Sequence, residues 1–369
     1  MAEFNSADIA AFHDVWVFCE QREGKLMPTD LELISKGREL AKELGAKLCG
    51  VLLGGQGIGQ QAETLGGYGA DKVIVCESPL LEVYTTDAYA KVLCDLIEKE
   101  KPEAFLVGAS TIGRDLAPRC AARLHTGLCA DCTHLDVDVS KYTQFLRQAS
   151  TLDVDRLKWD MEDRNLKMTR PAFGGHLMAT IICPRFRPCM ATVRPGVLKK
   201  GTFDPDLAKS VEIVYPEFQL QDKDIQAVCV EVVHAAKKLV NLTDAEYIVS
   251  VGRGISKNPE KGLHLAQELA DALGGTVAGS RAAVEAGWLT QDRQVGQTGQ
   301  TVRPKVYIAL GISGAIQHRA GMQDSGCIIA VNLNESAPIF EIADYGICGD
   351  LFQIVPLLTD AIRAEAHCR

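Results

Sequence analysis

Short continuous apolar runs alternate with stretches in which apolar positions recur every three or four residues, and this alternation organises residues 14 to about 125. VWVFCE (15–20), KLCGVLLGG (47–55), DKVIVCE (71–77) and EAFLVGAS (103–110) are apolar at successive positions. Such runs suit strands covered on both faces. Between the first two, DLELISKGRELAKELG (30–45) repeats Leu31, Ile34, Leu40, Ala41 and Leu44 on one helical face. Further helices are expected around 58–65 and 85–100. Strand–helix–strand order implies a mostly parallel sheet flanked by helices.

The pattern changes from about 126 to 200, where TGLCADCTHLDVD, LKMTRPAFGG, LMATIICP and MATVRPG read as short strands separated by Gly and Pro, without helices. An antiparallel elaboration of the first sheet is expected there. GTFDPDLAKSVEIVYPEFQLQDKD (201–224) reads as a connecting segment leading to a helix at about 225–241. The strand–helix alternation resumes at 245: AEYIVSVGRG, a helix over 259–273, GTVAGSRAAVEAGW, PKVYIALGISGAIQH, CIIAVNLN and a last helix from about 350. The expected architecture is α/β in two domains, each with a mostly parallel sheet flanked by helices. The divisions are an N-terminal α/β domain over 1–210, a connecting segment and helix over 211–240, and a ligand-binding domain over 241–369.

Composition narrows the function. An apolar share of 47% with 24% charged residues excludes global disorder. A net charge of −9 without a long Lys/Arg block excludes a nucleic-acid binder by electrostatics. No apolar run approaches the roughly 18 to 20 residues of a membrane span. The start, MAEFNSADIAAF, lacks a basic n-region and an Arg-rich face, so neither a secretory signal nor a transit peptide is expected. The thirteen cysteines lie scattered through apolar runs in a large, regular chain, which fits reduced, buried thiols and a bacterial cytoplasm. Cys129 and Cys132 form a lone CxxC, and Cys183 with Cys189 is a poor second pair, so structural roles are expected and no metal. His125, His134 and His176 read as turn or surface histidines, Asp131 and Asp136 as caps, and Trp288 as a packing residue.

Glycine-rich turns at the carboxyl ends of strands are where doubly wound sheets bind nucleotides, because helix N-termini and free N–H groups converge there. Leu53-Gly54-Gly55-Gln56-Gly57-Ile58-Gly59 lacks the strict dinucleotide spacing and reads as a tight turn. The second half has three such turns: Gly252-Arg253-Gly254, Ala278-Gly279-Ser280-Arg281 and Gly311-Ile312-Ser313-Gly314-Ala315. Between them lies the polar, Gly-rich stretch Val295-Gly296-Gln297-Thr298-Gly299-Gln300-Thr301. Small polar turns with two arginines point to a nucleotide-like ligand without saying which.

VGRG, AGSRAAVEAGW, QVGQTGQTVRPKVYIALGISGAIQHRAGM and AVNLNESAPIFEIADYGICGDL closely resemble the alpha subunit of electron transfer flavoproteins, as do LVGASTIGRDLAPRCAARLHTGLCADCT and TVRPG in the first half. The resemblance covers essentially the whole chain. It implies a Rossmann-like FAD-binding domain at the C-terminus, FAD as cofactor, and a heterodimer with a beta subunit. It also implies electron carriage between an acyl-CoA dehydrogenase, or NADH, and an acceptor, with oxidoreductase activity only in that complex. Carried over, Arg253 with Ser280 would hold phosphate and ribityl oxygens, and Arg281 would lie over the isoalloxazine near its reactive edge. Val295, Gly296, Gln297 and Thr298 would contact the ring or ribityl chain. Ser313, Gly314, Ala315, Ile316, Gln317 and His318 would wrap the ring and pyrophosphate, with His318 near the pyrimidine carbonyl. Asn332, with Asp350 and Leu351, would hold the adenosine end. The residue types suit the role: a fixed cation favours a flavin that gathers negative charge on reduction. Three alternatives stay open: a stand-alone nicotinamide- or flavin-dependent oxidoreductase, a subunit of a complex that bifurcates electrons from NADH towards ferredoxin, and a non-catalytic nucleotide-binding scaffold.

Overall fold

In the computed structural model, residues 4–172, 177–232, 242 and 245–366 are described. The chain divides into two units, Met1–Val233 and His234–Arg369. In the first, the strands are β1 His13–Cys19, a hairpin of β2 Gln21–Arg22 and β3 Lys25–Leu26, β4 Leu48–Gly54, β5 Lys72–Glu77, β6 Pro102–Gly108, β7 Leu128–Cys132, β8 His134–Asp136, β9 Lys167–Ala172, β10 Leu177–Ile181, β11 Cys189–Val193 and β12 Glu212–Val214. Seven form one sheet in the order β12-β5-β4-β1-β6-β11-β7, every neighbouring pair parallel. Alternate residues of β1 enter two cores: Val15, Val17 and Cys19 one, Trp16 and Phe18 the other. That double burial is why its sequence shows no polar alternation. The helix Pro28–Leu44 begins at a proline and ends at Gly45 with φ +67°. Buried Asp30 accepts from the Glu20 and Met27 amides at 3.0 and 2.9 Å, fixing its first turn.

Residues 126–200 differ from the expectation in two ways. Val139–Ala149 is a helix, capped by Asp138, which accepts from the Lys141 amide at 3.0 Å. Its buried face, Val139, Tyr142, Thr143 and Leu146, recurs at the helical spacing i, i+3, i+4 and i+7, a signal that the reading of this stretch as short strands passes over. The antiparallel strands form a separate sheet, β10-β9-β8, whereas β11 and β7 continue the main parallel sheet. In 201–224, Pro205–Ser210 is a short helix and β12 pairs parallel with β5, so this stretch closes the sheet edge rather than merely connecting. Of the helix expected at about 225–241, residues 225–232 are not helical and 233–241 lie outside the described residues.

The second unit has β13 Tyr247–Val251, β14 Thr276–Gly279, β15 Val306–Leu310, β16 Ile328–Asn332 and β17 Tyr345–Cys348. Their order is β14-β13-β15-β16-β17, all parallel, with Pro259–Leu273 and Leu351–Ala366 as the long helices. β17 was not expected; at four residues with exposed positions it lacks an apolar run. The chain winds one way from β13 to β14 and the other way from β15 onward. The switch point of this parallel, Rossmann-like sheet therefore lies between β13 and β15, and the crevice for a ligand opens at their carboxyl ends.

Candidate functional site

Two turns meet at that crevice, backbone against backbone. The Gly252 amide donates to the Leu310 carbonyl at 2.9 Å and the Gly254 amide to the Gly311 carbonyl at 3.0 Å. A Cβ on Gly252 would stand 2.4 Å from the Gly311 oxygen, and one on Gly254 2.6 Å from the Gly311 Cα. These glycines are required by turn-on-turn packing, and Arg253 between them is left exposed. Gly314 has φ +85°, and a Cβ there would stand 2.3 Å from the Ile339 nitrogen. The Ile339 amide donates to Ser313 at 3.0 Å, so this turn is clamped from the far side.

The 294–302 loop joins the end of β14 to the short helix Ile316–Arg319. Val295 donates to Gly279 at 2.9 Å, Gln297 to Gln317 at 2.7 Å and Val302 to Gly321 at 2.8 Å, all through backbone amides. Thr298 is exposed at the loop tip, its hydroxyl accepting from the Gln294 amide side chain at 2.9 Å. The backbone thus brings Gly296 and Gln297 against Gln317 and His318. The Ser280 amide donates to Val251 at 2.9 Å, tying its turn to β13, and its side chain makes no cap to the helix Arg281–Glu285. Arg281 is 67% exposed and its Nε meets Glu285 Oε1 at 2.7 Å.

The adenosine-end candidates have structural occupations. Asn332 donates through Nδ2 to the Ile312 carbonyl at 2.8 Å and accepts from the Asn334 amide at 2.9 Å, joining the turns after β15 and β16. Asp350 accepts from the Phe352 amide at 3.0 Å as a helix cap. Leu351 is buried in the core beneath Gly311. Exposed Ser313, Ala315, Ile316 and Gln317 form the open face of the 313–318 turn.

His318 is different: it is 6% exposed, and its Nε2 lies 3.0 Å from the hydroxyl of Tyr307 on β15. Burial pulls its pKa down to about 4, the Val295 backbone opposing this in part without making a hydrogen bond to Nδ1. The ring is neutral at pH 7. Its Nδ1, Ser250 Oγ and Thr301 Oγ1 are buried polar atoms without a hydrogen-bond partner among the described residues. Sequence reasoning missed Tyr307, because VYIAL reads as one more buried strand.

The switch point of the first unit, between β1 and β6, is filled by the chain itself. The Ser110 hydroxyl donates to the Glu20 carboxylate, Arg22 Nε donates to the same carboxylate at 2.9 Å, and Arg22 also reaches Thr111 at 3.2 Å. Ser110 in turn caps the helix Thr111–Arg123 by accepting from the Gly113 amide at 3.0 Å. A phosphate approaching that helix terminus would meet a carboxylate already bonded there.

Other singled-out residues take structural places. Cys132 and Cys129 are buried, their thiols donating to the Cys129 and Met168 carbonyls at 3.5 and 3.8 Å. His134, read as a turn or surface histidine, is part-buried and partnered: its Nε2 lies 2.6 Å from Asp136, and its ring stacks on Phe145 at 3.7 Å. Asp136 is therefore a hydrogen-bond partner of His134 rather than a cap. His125 sits in a turn with φ +51°, Trp288 packs on the second unit's core, and His176 lies outside the described residues. Asp131 is also no cap; it pairs with Arg194 at 2.5 Å and Arg114 at 2.8 Å. Burial alone would raise its pKa, but the Arg194 guanidinium, with the charges of Arg114 and Arg170, offsets this and holds it below the usual carboxylate range. A depressed folded pKa contributes stability above the unfolded value that is lost as pH falls through the folded one. Asp131→Asn is thus expected to cost about 1–3 kcal/mol at pH 7 by leaving Arg194 unpaired. In urea melts the gap to the parent should narrow as pH falls below 4.

The chain matches two protein families: "Electron transfer flavoprotein domain" over residues 15–220 and "Electron transfer flavoprotein FAD-binding domain" over 241–323. It is 65% identical to the acryloyl-CoA reductase electron transfer subunit beta of Anaerotignum propionicum, covering 98% of each chain. It is 48% identical to the electron transfer flavoprotein subunit alpha of Thermoanaerobacterium thermosaccharolyticum, covering 95% of this chain and 98% of that one. It is also 41% identical to the lactate dehydrogenase (NAD(+),ferredoxin) subunit LctC of Acetobacterium woodii, covering 98% of this chain and 79% of that one.

Proposed function

The chain belongs to the electron transfer flavoprotein family as an alpha-type, FAD-carrying electron transfer subunit, and from that premise we propose that its FAD lies across the carboxyl edge of the β13–β15 switch point. One contrast carries this reading. The crevice of the second unit leaves Arg253, Arg281 and Thr298 exposed and the His318 Nδ1 unsatisfied, whereas that of the first is closed by Glu20. The donor set fits a dinucleotide flavin: two arginines for charge, glycine turns without Cβ atoms, and a neutral imidazole.

Bound FAD supplies one- and two-electron transfer through its isoalloxazine ring. Arg253 and the Ser280 hydroxyl bind phosphate and ribityl oxygens. Arg281 presents a permanent cation to the ring, because a guanidinium keeps its charge at any working pH. Val295, Gly296, Gln297 and the Thr298 hydroxyl orient the ring from the loop. The turn Ser313, Gly314, Ala315, Ile316, Gln317 and His318 wraps ring and pyrophosphate. Since Asn332 and Asp350 already hold backbone amides with their side chains and Leu351 is buried, the adenosine end rests on the backbone of these turns.

The working unit in this proposal is a cytoplasmic heterodimer with a beta subunit, and no described helix is long and apolar enough to cross a membrane. The printed name of the 65%-identical relative supports a dehydrogenase or reductase of CoA thioesters as the protein it exchanges electrons with. A second reading, a complex that couples NADH to a CoA thioester and to ferredoxin, is favoured by the relative named for NAD(+) and ferredoxin. Co-purification with the beta subunit tests both. A yellow heterodimer that exchanges electrons with an acyl-CoA dehydrogenase and ignores NADH is the simple carrier. NADH oxidation that requires both ferredoxin and the thioester partner identifies the coupled complex. A colourless heterodimer that cannot take up FAD would refute the proposal.

A further inference from the structure

Tyr307 is fully buried on β15, and burial pushes its phenol pKa well up, so it remains protonated. A buried O–H needs an acceptor. The neighbouring Ser250 hydroxyl makes no hydrogen bond among the described residues, and the Tyr307 hydroxyl meets His318 Nε2 at 3.0 Å. The phenol therefore donates and Nε2 accepts. A neutral imidazole carries one proton, so that proton sits on Nδ1, the ring atom left without a partner. We propose that Tyr307 is a positioning residue: by donating to Nε2 it locks His318 as the neutral Nδ1–H tautomer and holds that N–H ready as a donor to an electron-rich carbonyl of the flavin. This rests on the reading that His318 contacts FAD. A neutral donor fixed in this way favours the reduced, more negative ring without carrying a charge that would titrate near neutral pH.

The test uses the full chain in complex with its beta subunit, as Tyr307→Phe, His318→Ala and the double variant. Nitrogen-15 spectra of histidine-labelled complex report the tautomer, and spectroscopic redox titrations report the flavin potential. Expected are a pyrrole-type Nδ1 and pyridine-type Nε2 for His318, lost in Tyr307→Phe. The flavin potential should fall in both single variants, and the double variant should match His318→Ala, because Tyr307 acts through the histidine. An Nε2–H tautomer in the parent overturns the proposal. So does an unchanged potential in Tyr307→Phe when His318→Ala lowers it, which leaves the flavin contact standing. An unchanged potential in both variants, with the parent tautomer as expected, removes the flavin contact itself and the proposal with it. Circular dichroism melts confirm that Tyr307→Phe folds; should it not, Tyr307→3-fluorotyrosine, a stronger donor, must raise the potential, and no change there is equally fatal.

Discussion

Arg281→Ala is expected to lower the reduction potential of the bound flavin while leaving FAD in place. The guanidinium is held beside the switch point on a helix of five residues, and its ion-pair partner among the described residues is Glu285 at 2.7 Å. Facing the ring as proposed, it would stabilise the charge that arrives on reduction more than the oxidised ring. A charge-assisted contact is worth roughly 1.5 to 3 kcal/mol. At about 59 mV per tenfold change in a one-electron step, that is on the order of 65 to 130 mV. Arg281→Lys should keep part of the effect, since the charge stays and the planar fork is lost. Glu285→Gln should move the potential the other way, because the carboxylate partly offsets the cation. Redox titrations of the three variants with the beta subunit check this, and an unchanged potential in Arg281→Ala would place the arginine away from the ring.

Gly252→Ala is expected to damage the proposed site through the backbone. The added Cβ would stand 2.4 Å from the Gly311 oxygen, so the turns after β13 and β15 must part and the Gly254-to-Gly311 hydrogen bond must stretch. Overpacking of this kind costs about 1–3 kcal/mol. FAD affinity should fall at least about tenfold, the equivalent of roughly 1.4 kcal/mol. Gly274→Ala is the control: its φ of +67° strains an alanine by about 1–2 kcal/mol, but nothing lies within 4 Å of the new Cβ. Urea melts should show both variants weakened, whereas FAD titration should show only Gly252→Ala impaired.

The strands that cross the middle of each sheet were legible because burial on both faces leaves an unbroken apolar run, as in β1 and β4. Edge elements were not. β12 and β17 are three and four residues long and partly exposed. The antiparallel strands were recognised as strands but not as a separate sheet, since register and pairing direction depend on partners distant in sequence. Two of the glycine turns have a structural reason of their own. Gly252 and Gly254 admit another turn rather than a phosphate, a contact set by the switch-point topology. The Tyr307–His318 pair was hidden because tyrosine in VYIAL looks like any other buried strand residue. The Arg281–Glu285 pair stood in plain view in RAAVE at a spacing of four. Glu20 closing the first crevice joins residues 90 positions apart and has no local signature.

The central claim is that FAD lies at the β13–β15 crevice of the second unit, and photolabelling tests it most directly. The heterodimer is stripped of flavin, reloaded with an azido-FAD, irradiated, digested, and its labelled peptides sequenced. Labels within 252–256, 280–285, 295–301, 313–318 or 332–351, competed away by excess FAD, are the expected result. Labels confined to residues 13–220, around Glu20 and Ser110, would contradict the account.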